Sequence, residues 1–107
     1  MSDSFGITPR SIQYIRSALG RIPEIMEARI FGSRALGNPQ KSSDIDIALF
    51  GPESSETTAR KLSEVLNEEL PIPYHVDVVV FEACENEDLK QHISKIGKVL
   101  WQRDSSY

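Results

Sequence analysis

The sequence is poor in cysteine. Cys84 stands alone, so no disulfide can form within the chain and a cysteine-based zinc site is not expected. Long apolar runs are also missing. None approaches the roughly 20 residues that span a bilayer as a helix. The opening MSDSFGITPR has no apolar core of the secretory-signal type. These shortages lead to the expectation of a cytoplasmic protein with no membrane partner. Positive charge is scarce as well. Twelve Lys and Arg stand against 16 Asp and Glu, for a formal charge of −4. A broad basic surface for nucleic acid is therefore not expected, although a small anionic ligand held locally remains compatible. No internal repeat and no low-complexity tract is present.

The 107 residues fit one domain, 1–107, with the tail from about 103 to 107 expected to be mobile. Thr8-Pro9 has the pattern of a helix cap followed by proline at the first helical position. Ile12, Ile15, Ala18 and Leu19 then recur at helical spacing, predicting a helix over 9–19. Residues 27–31 (EARIF) read as a strand, and 33–36 as one helical turn. Residues 44–50 (DIDIALF) and 74–81 (YHVDVVVF) read as two further strands. Between them, 55–69 is the clearest helix, with Ala59, Leu62, Val65 and Leu66 on one face. Leu89, Ile93 and Ile96 define a last helix ending near Gly97, and 98–102 (KVLWQ) can add a strand. The order predicts an α/β fold: a small mixed sheet of three to four strands flanked by helices.

One stretch does not fit plain fold-building. In a strand, residues two apart share a face, so Asp44 and Asp46 project together and repel. Alone, an Asp-x-Asp pair is usually an exposed strand face. Asp77 adds weight because it sits within an apolar run, where an unpaired carboxylate is costly. Arg29 or Arg34 could compensate it, and so could a metal ion. Three carboxylates on two strands suit Mg²⁺, a hard cation that takes oxygen ligands.

Gly32-Ser33 follows the first strand and begins a turn. Glycine lets backbone approach a ligand, and free N–H groups at a turn attract phosphate. The Ser33 hydroxyl can donate to a phosphate oxygen. An ordinary turn with Ser33 as a cap is the plainer reading of this pair by itself. Arg34 can neutralise phosphate or pair with a surface carboxylate, and the two readings are near even. Ser43 can touch the nucleotide or cap the loop before Asp44.

Taken together, Gly32-Ser33, ten residues, and Asp44-Ile45-Asp46 within FGSRALGNPQKSSDIDIALF resemble the minimal nucleotidyltransferase (MNT) family of the DNA polymerase β superfamily. The VDVV segment supplies a third carboxylate, Asp77. The resemblance implies the polymerase-β-like nucleotidyltransferase fold and a transferase that moves AMP from ATP to a hydroxyl. It implies that Gly32 and Ser33 hold the triphosphate, and that Asp44, Asp46 and Asp77 hold two Mg²⁺ ions. It also implies a partner: such small proteins act as antitoxins to HEPN-domain toxins, which are helical RNases, and can adenylylate a toxin tyrosine. The competing expectation is an antitoxin that only occludes its partner, with a vestigial or regulatory nucleotide site. A small-molecule nucleotidyltransferase is disfavoured for want of an acceptor domain, and a templated polymerase by length and charge.

Other residues are kept out of the site at this stage. His75 shares a face with Asp77 but is expected to be packed or simply exposed. His92 is expected on the solvent side of the last helix, and Trp101 at the sheet edge. Cys84 reads as a small loop residue. The acidic run from Glu82 to Asp88 is expected to seat the start of the last helix, where negative charge is favourable.

Overall fold

The computed structural model describes residues 5–37 and 44–103. Ser43 and the tail 104–107 lie outside the described residues. Arg103, placed in that tail by sequence, is tied down: its guanidinium donates to the carbonyls of Ile22 and Ile25, both at 3.0 Å.

Each helix starts at a polar cap that the sequence supplies. Thr8 caps α1 (Pro9–Gly20), its Oγ1 accepting the Ser11 N–H at 3.3 Å. Ser55 and Thr58 form a reciprocal capping box at α2 (Glu56–Glu64). Asn86 Oδ1 accepts the Leu89 N–H at 3.1 Å and opens α3 (Glu87–Ile96), with Glu87 and Asp88 in its first turn. The continuous helix expected over 55–69 is instead α2 followed by a wide π-type turn, Val65–Glu69. The Asn67 side chain accounts for the difference. Its amide accepts the Val76 N–H at 2.8 Å and donates to the Val76 carbonyl at 2.9 Å. The wide turn aims it at the sheet.

Among the described residues four strands form one sheet: β1 (Glu27–Phe31), β2 (Ile45–Phe50), β3 (Val76–Val80) and β4 (Lys98–Gln102), in the order β3-β2-β1-β4. β1 runs antiparallel to both β2 and β4, while β2 and β3 run parallel, joined through α2. The mixed sheet flanked by three helices agrees with the expected fold, and the fourth strand forms. β3 is shorter than 74–81, because Tyr74 turns to stack under the Arg34 guanidinium, 4.9 Å from its ring centre.

Alternation divides the sheet into two faces. Ile45, Ile47 and Leu49 point to one side and are fully buried with Ile15, Leu19, Leu62 and Leu66 from the helical side. Asp46, Ala48 and Phe50 point to the other. There a second, smaller cluster of Phe31, Ala48 and Ile93 is covered by α3. The carboxylate face is thus half roofed by a helix. Trp101 lies on edge strand β4, opposite Ala28, as expected.

Ile47 lies at the middle of β2 with its side chain wholly in the larger core. Ile47→Ala is expected to lower unfolding stability by about 2–5 kcal/mol, read by urea titration.

Candidate active site

The site is built on the turn from β1 into β2 and on the parallel β2–β3 pair. Gly32 opens a short 3-10 turn, Gly32–Arg34, at φ +77°. That left-handed conformation is cheap only for glycine. Space makes the same demand: a Cβ on Gly32 would lie 2.5 Å from Asp46 Oδ2. The turn therefore closes directly onto the Asp46 carboxylate. Ser33 is exposed beside it.

The strand register does the rest. Asp46 stands opposite Asp77 across the parallel pair, and Asp44 immediately precedes β2. Asp46 is half-buried, whereas Asp44 and Asp77 are exposed. The expectation that Asp77 is a buried carboxylate is corrected here. β3 is an edge strand, and Asp77 near its start is exposed while Val79 further along the same face packs against the α3 cluster, so the apolar neighbours in sequence do not bury it. Asp77 takes part through its position, not through burial. The carboxylate under strain is Asp46. Burial pushes its pKa up, and the charges of Asp77 and Asp44 push it further, while His92 and Arg34 pull it back.

Two histidines join the site. His75 is exposed, and its Nε2 lies 3.1 Å from Asp77 Oδ1. Ligand atoms of Asp44, His75 and Asp77 all lie within 4.8 Å of one another. The shared face of positions 75 and 77 was the available signal. His92 is not on the solvent side: its Nε2 accepts the Gly32 N–H at 3.0 Å, and its ring meets Phe31 edge-on. Nothing local in the sequence marks this contact, because it depends on α3 crossing the β1 end.

Arg34 lies inside the fold. It is 2% exposed. Its guanidinium donates to the Phe5 carbonyl at 3.0 Å and to the Asp44 carbonyl at 3.3 Å. It holds the backbone that carries Asp44 and does not face outward to a phosphate.

The donor set fits a hard divalent cation. Asp44 and Asp77 come together with His75, and their charges add to burial in disfavouring the ionised form of Asp46, a repulsion that a bound dication would relieve. The imidazole is not a donor that Mg²⁺ prefers. Next to such an ion, His75 would instead orient Asp77 by donating to its Oδ1.

The Asp46 shift has a sign. Its folded pKa lies above the ordinary 3.8, so the native state binds this proton more tightly than the unfolded chain does. Stability is lost as pH rises from that ordinary value through the raised one. Asp46→Asn is therefore expected to raise the melting temperature at pH 7 without metal, with the gain fading below pH about 4. Added Mg²⁺ is expected to raise the melting temperature of the parent chain and to do so much less in the variant. Gly32→Ala is expected to cost at least about 1 kcal/mol, from the strained φ alone.

Residues 13–106 match the family described as polymerase beta, nucleotidyltransferase. The chain is 32% identical over 77 residues to the probable protein adenylyltransferase MntA of Haemophilus influenzae. That match covers 71% of this chain and 66% of the relative, just under two thirds of its length. Among solved structures, a toxin–antitoxin crystal structure with AMP-PNP superposes with a TM-score of 0.71 at 26% identity, covering 87% of this chain and 74% of the other. A tri-AMPylated Shewanella oneidensis HEPN toxin in complex with its MNT antitoxin gives 0.65 at 25% identity, covering 88% and 71%. A match over nearly the whole chain, on a sheet that brings the Gly-Ser turn against paired aspartates, makes this chain a member of the polymerase-β-type nucleotidyltransferase family.

Proposed function

We propose that this protein transfers AMP from ATP to a hydroxyl, most simply a tyrosine, of a HEPN-domain toxin, and thereby acts as its antitoxin in the cytoplasm. One observation carries the reading: the Gly32-Ser33 turn closes onto Asp46, which stands opposite Asp77 with Asp44 beside it. A phosphate seat and a cation seat thus share one wall. The names of the similar proteins, a protein adenylyltransferase and an MNT antitoxin bound to an AMPylated toxin, support the same substrate and partner. Among the described residues no helix is long and apolar enough to cross a membrane, which is compatible with the proposed address.

Each residue has a distinct task. The exposed Ser33 hydroxyl and the turn's N–H groups hold triphosphate oxygens, where Gly32 lets the chain come close. Asp44, Asp46 and Asp77 are the residues that would hold the Mg²⁺ ions accompanying the nucleotide and the acceptor. Two such ions, when bound, neutralise the phosphate charge and make the acceptor hydroxyl easier to deprotonate. Arg34 positions Asp44 through its backbone, and His75 orients Asp77. The acceptor oxygen attacks the α-phosphorus, the bond to the β-phosphate oxygen breaks, and pyrophosphate and the hydroxyl proton leave. The acceptor hydroxyl is supplied by the partner protein, the class of acceptor that the relative's name as a protein adenylyltransferase supports.

The test is label transfer. The purified protein, Mg²⁺ and ATP labelled at the α-phosphate are mixed with the purified product of the neighbouring gene. Label is expected on that protein. Asp44→Asn/Asp46→Asn is expected to reduce transfer by roughly 10²-fold or more, the scale of losing charge stabilisation at a reacting centre. Toxin neutralised equally by both forms, with no label on it, would replace the transferase by an occluding antitoxin.

A further inference from the structure

A cleft of about 600 Å³ lies between α2 and the outer edge of β3, and His75 forms part of its wall. Its backbone chemistry is unusual. Among the described residues β3 is an edge strand, paired only to β2. The His75 carbonyl accepts from Ile45 N–H, and the Phe81 N–H donates to the Leu49 carbonyl. Residues of that parity face β2, so Val76, Val78 and Val80 turn their N–H and C=O groups outward.

The three outward residues are treated differently. At Val76, the Asn67 amide makes both bonds, at 2.8 and 2.9 Å, as one residue of an antiparallel neighbour strand does. At Val80, the carbonyl already accepts the Ala83 N–H at 3.2 Å. Val78 lies between them and lines the cleft, and by the same alternation its N–H and C=O face away from β2. Asn67 thus closes the edge on the active-site side and leaves one strand-pairing position open. An exposed edge of this kind is a template for another chain.

The geometry points to β-strand addition: this cleft seats an extended, basic segment of the acceptor protein, paired antiparallel through Val78. The inference rests on the proposed transfer to a protein and names where that protein docks. Charge selects the occupant. Glu56, Glu64 and Glu68 line the cleft on exposed positions of α2 and its π-type turn, against Arg60 alone. Lysine or arginine at alternate positions of an added strand would meet this wall, while nucleic acid would be repelled. A second copy of this chain, itself at −4, is the poorer electrostatic match. Asn67 also stops the added strand at Val76 and turns it out of the sheet plane beside His75, which touches Asp77. The segment therefore delivers its downstream residues to the carboxylates.

The experiment uses the full chain, labelled with ¹⁵N, and two synthetic peptides: acetyl-Lys-Val-Lys-Val-Lys-amide and its Glu-for-Lys counterpart. With the basic peptide, amide shifts are expected to concentrate at 78–80 and 63–68, with slower hydrogen exchange at the Val78 amide. The acidic peptide is expected to give none. Glu64→Lys/Glu68→Lys, on exposed positions, is expected to weaken the basic peptide at least about 10-fold. No Val78 response up to millimolar peptide would overturn the inference, as would equal responses to both peptides or shifts centred on the acidic run 82–88. Val78 protection that rises with the concentration of the protein alone would assign the edge to a second copy and overturn it too. The peptide result is independent of the label-transfer assay, so loss of the docking inference leaves the transferase reading standing.

Discussion

The parallel pairing of β2 with β3 is the constraint on which the site depends. Its register sets Asp46 against Asp77, two like charges on neighbouring strands. Nothing in that contact is favourable by itself. It persists because the opposite face of the same strands is fully buried: Ile45, Ile47, Leu49 and Val76 are all at 0% exposure. A slip of one residue would put these side chains into solvent and the aspartates into the core. Hydrophobic burial, worth about 2 kcal/mol for each such side chain, thus fixes an electrostatically unfavourable arrangement. Burial first, and then the charges of Asp77 and Asp44, push the Asp46 pKa up. A site whose ligand is a cation is expected to look like this before the cation arrives.

Two cationic or imidazole groups moderate the conflict without abolishing it. Arg34 is buried, and its bonds to the Phe5 and Asp44 carbonyls join the N-terminal segment to the start of β2. Its ring contact with Tyr74 extends that tie to the approach of β3. One guanidinium therefore sets the spacing of Asp44 relative to both strands. His92 does comparable work from above. By accepting the Gly32 N–H it fixes α3 over the turn and pins the left-handed glycine in place. In this state that N–H is already satisfied.

Much of this was legible in the sequence, for identifiable reasons. The helices announced themselves through caps and apolar spacing, and Thr8, Ser55 and Asn86 make the bonds those patterns imply. Strand β2 was readable because alternation is strict from Asp44 to Ile47. The Gly-Ser and Asp-x-Asp spacing was legible because it is a local, linear pattern. What failed was information carried by tertiary contact. Asp77 looked buried because its neighbours are valines, yet edge position decides exposure, and edge position depends on strand order. His92 was misplaced, and the burial of Arg34 was not foreseen, for the same reason: their partners lie 60 and 29 residues away in sequence. The π-type turn at Val65–Glu69 was invisible because its cause is Asn67 reaching across to Val76.

That turn also shows how a small domain economises on structure. An α-helical continuation through Glu69 would rotate the side chain at 67 relative to the sheet, and Val76 would lose both bonds on its outer side. A buried or half-buried N–H and C=O left without partners would cost about 1–3 kcal/mol each. The wide turn removes that cost at one residue while leaving the next outward residue, Val78, unaltered. Had the aim been only to protect the edge, a charge or a bulge on β3 would have served the whole strand. The protection stops instead where the cleft begins, two residues beyond the carboxylate-bearing end of the strand. An edge closed at one position and open at the next has a direction, and here the closed end lies beside Asp77.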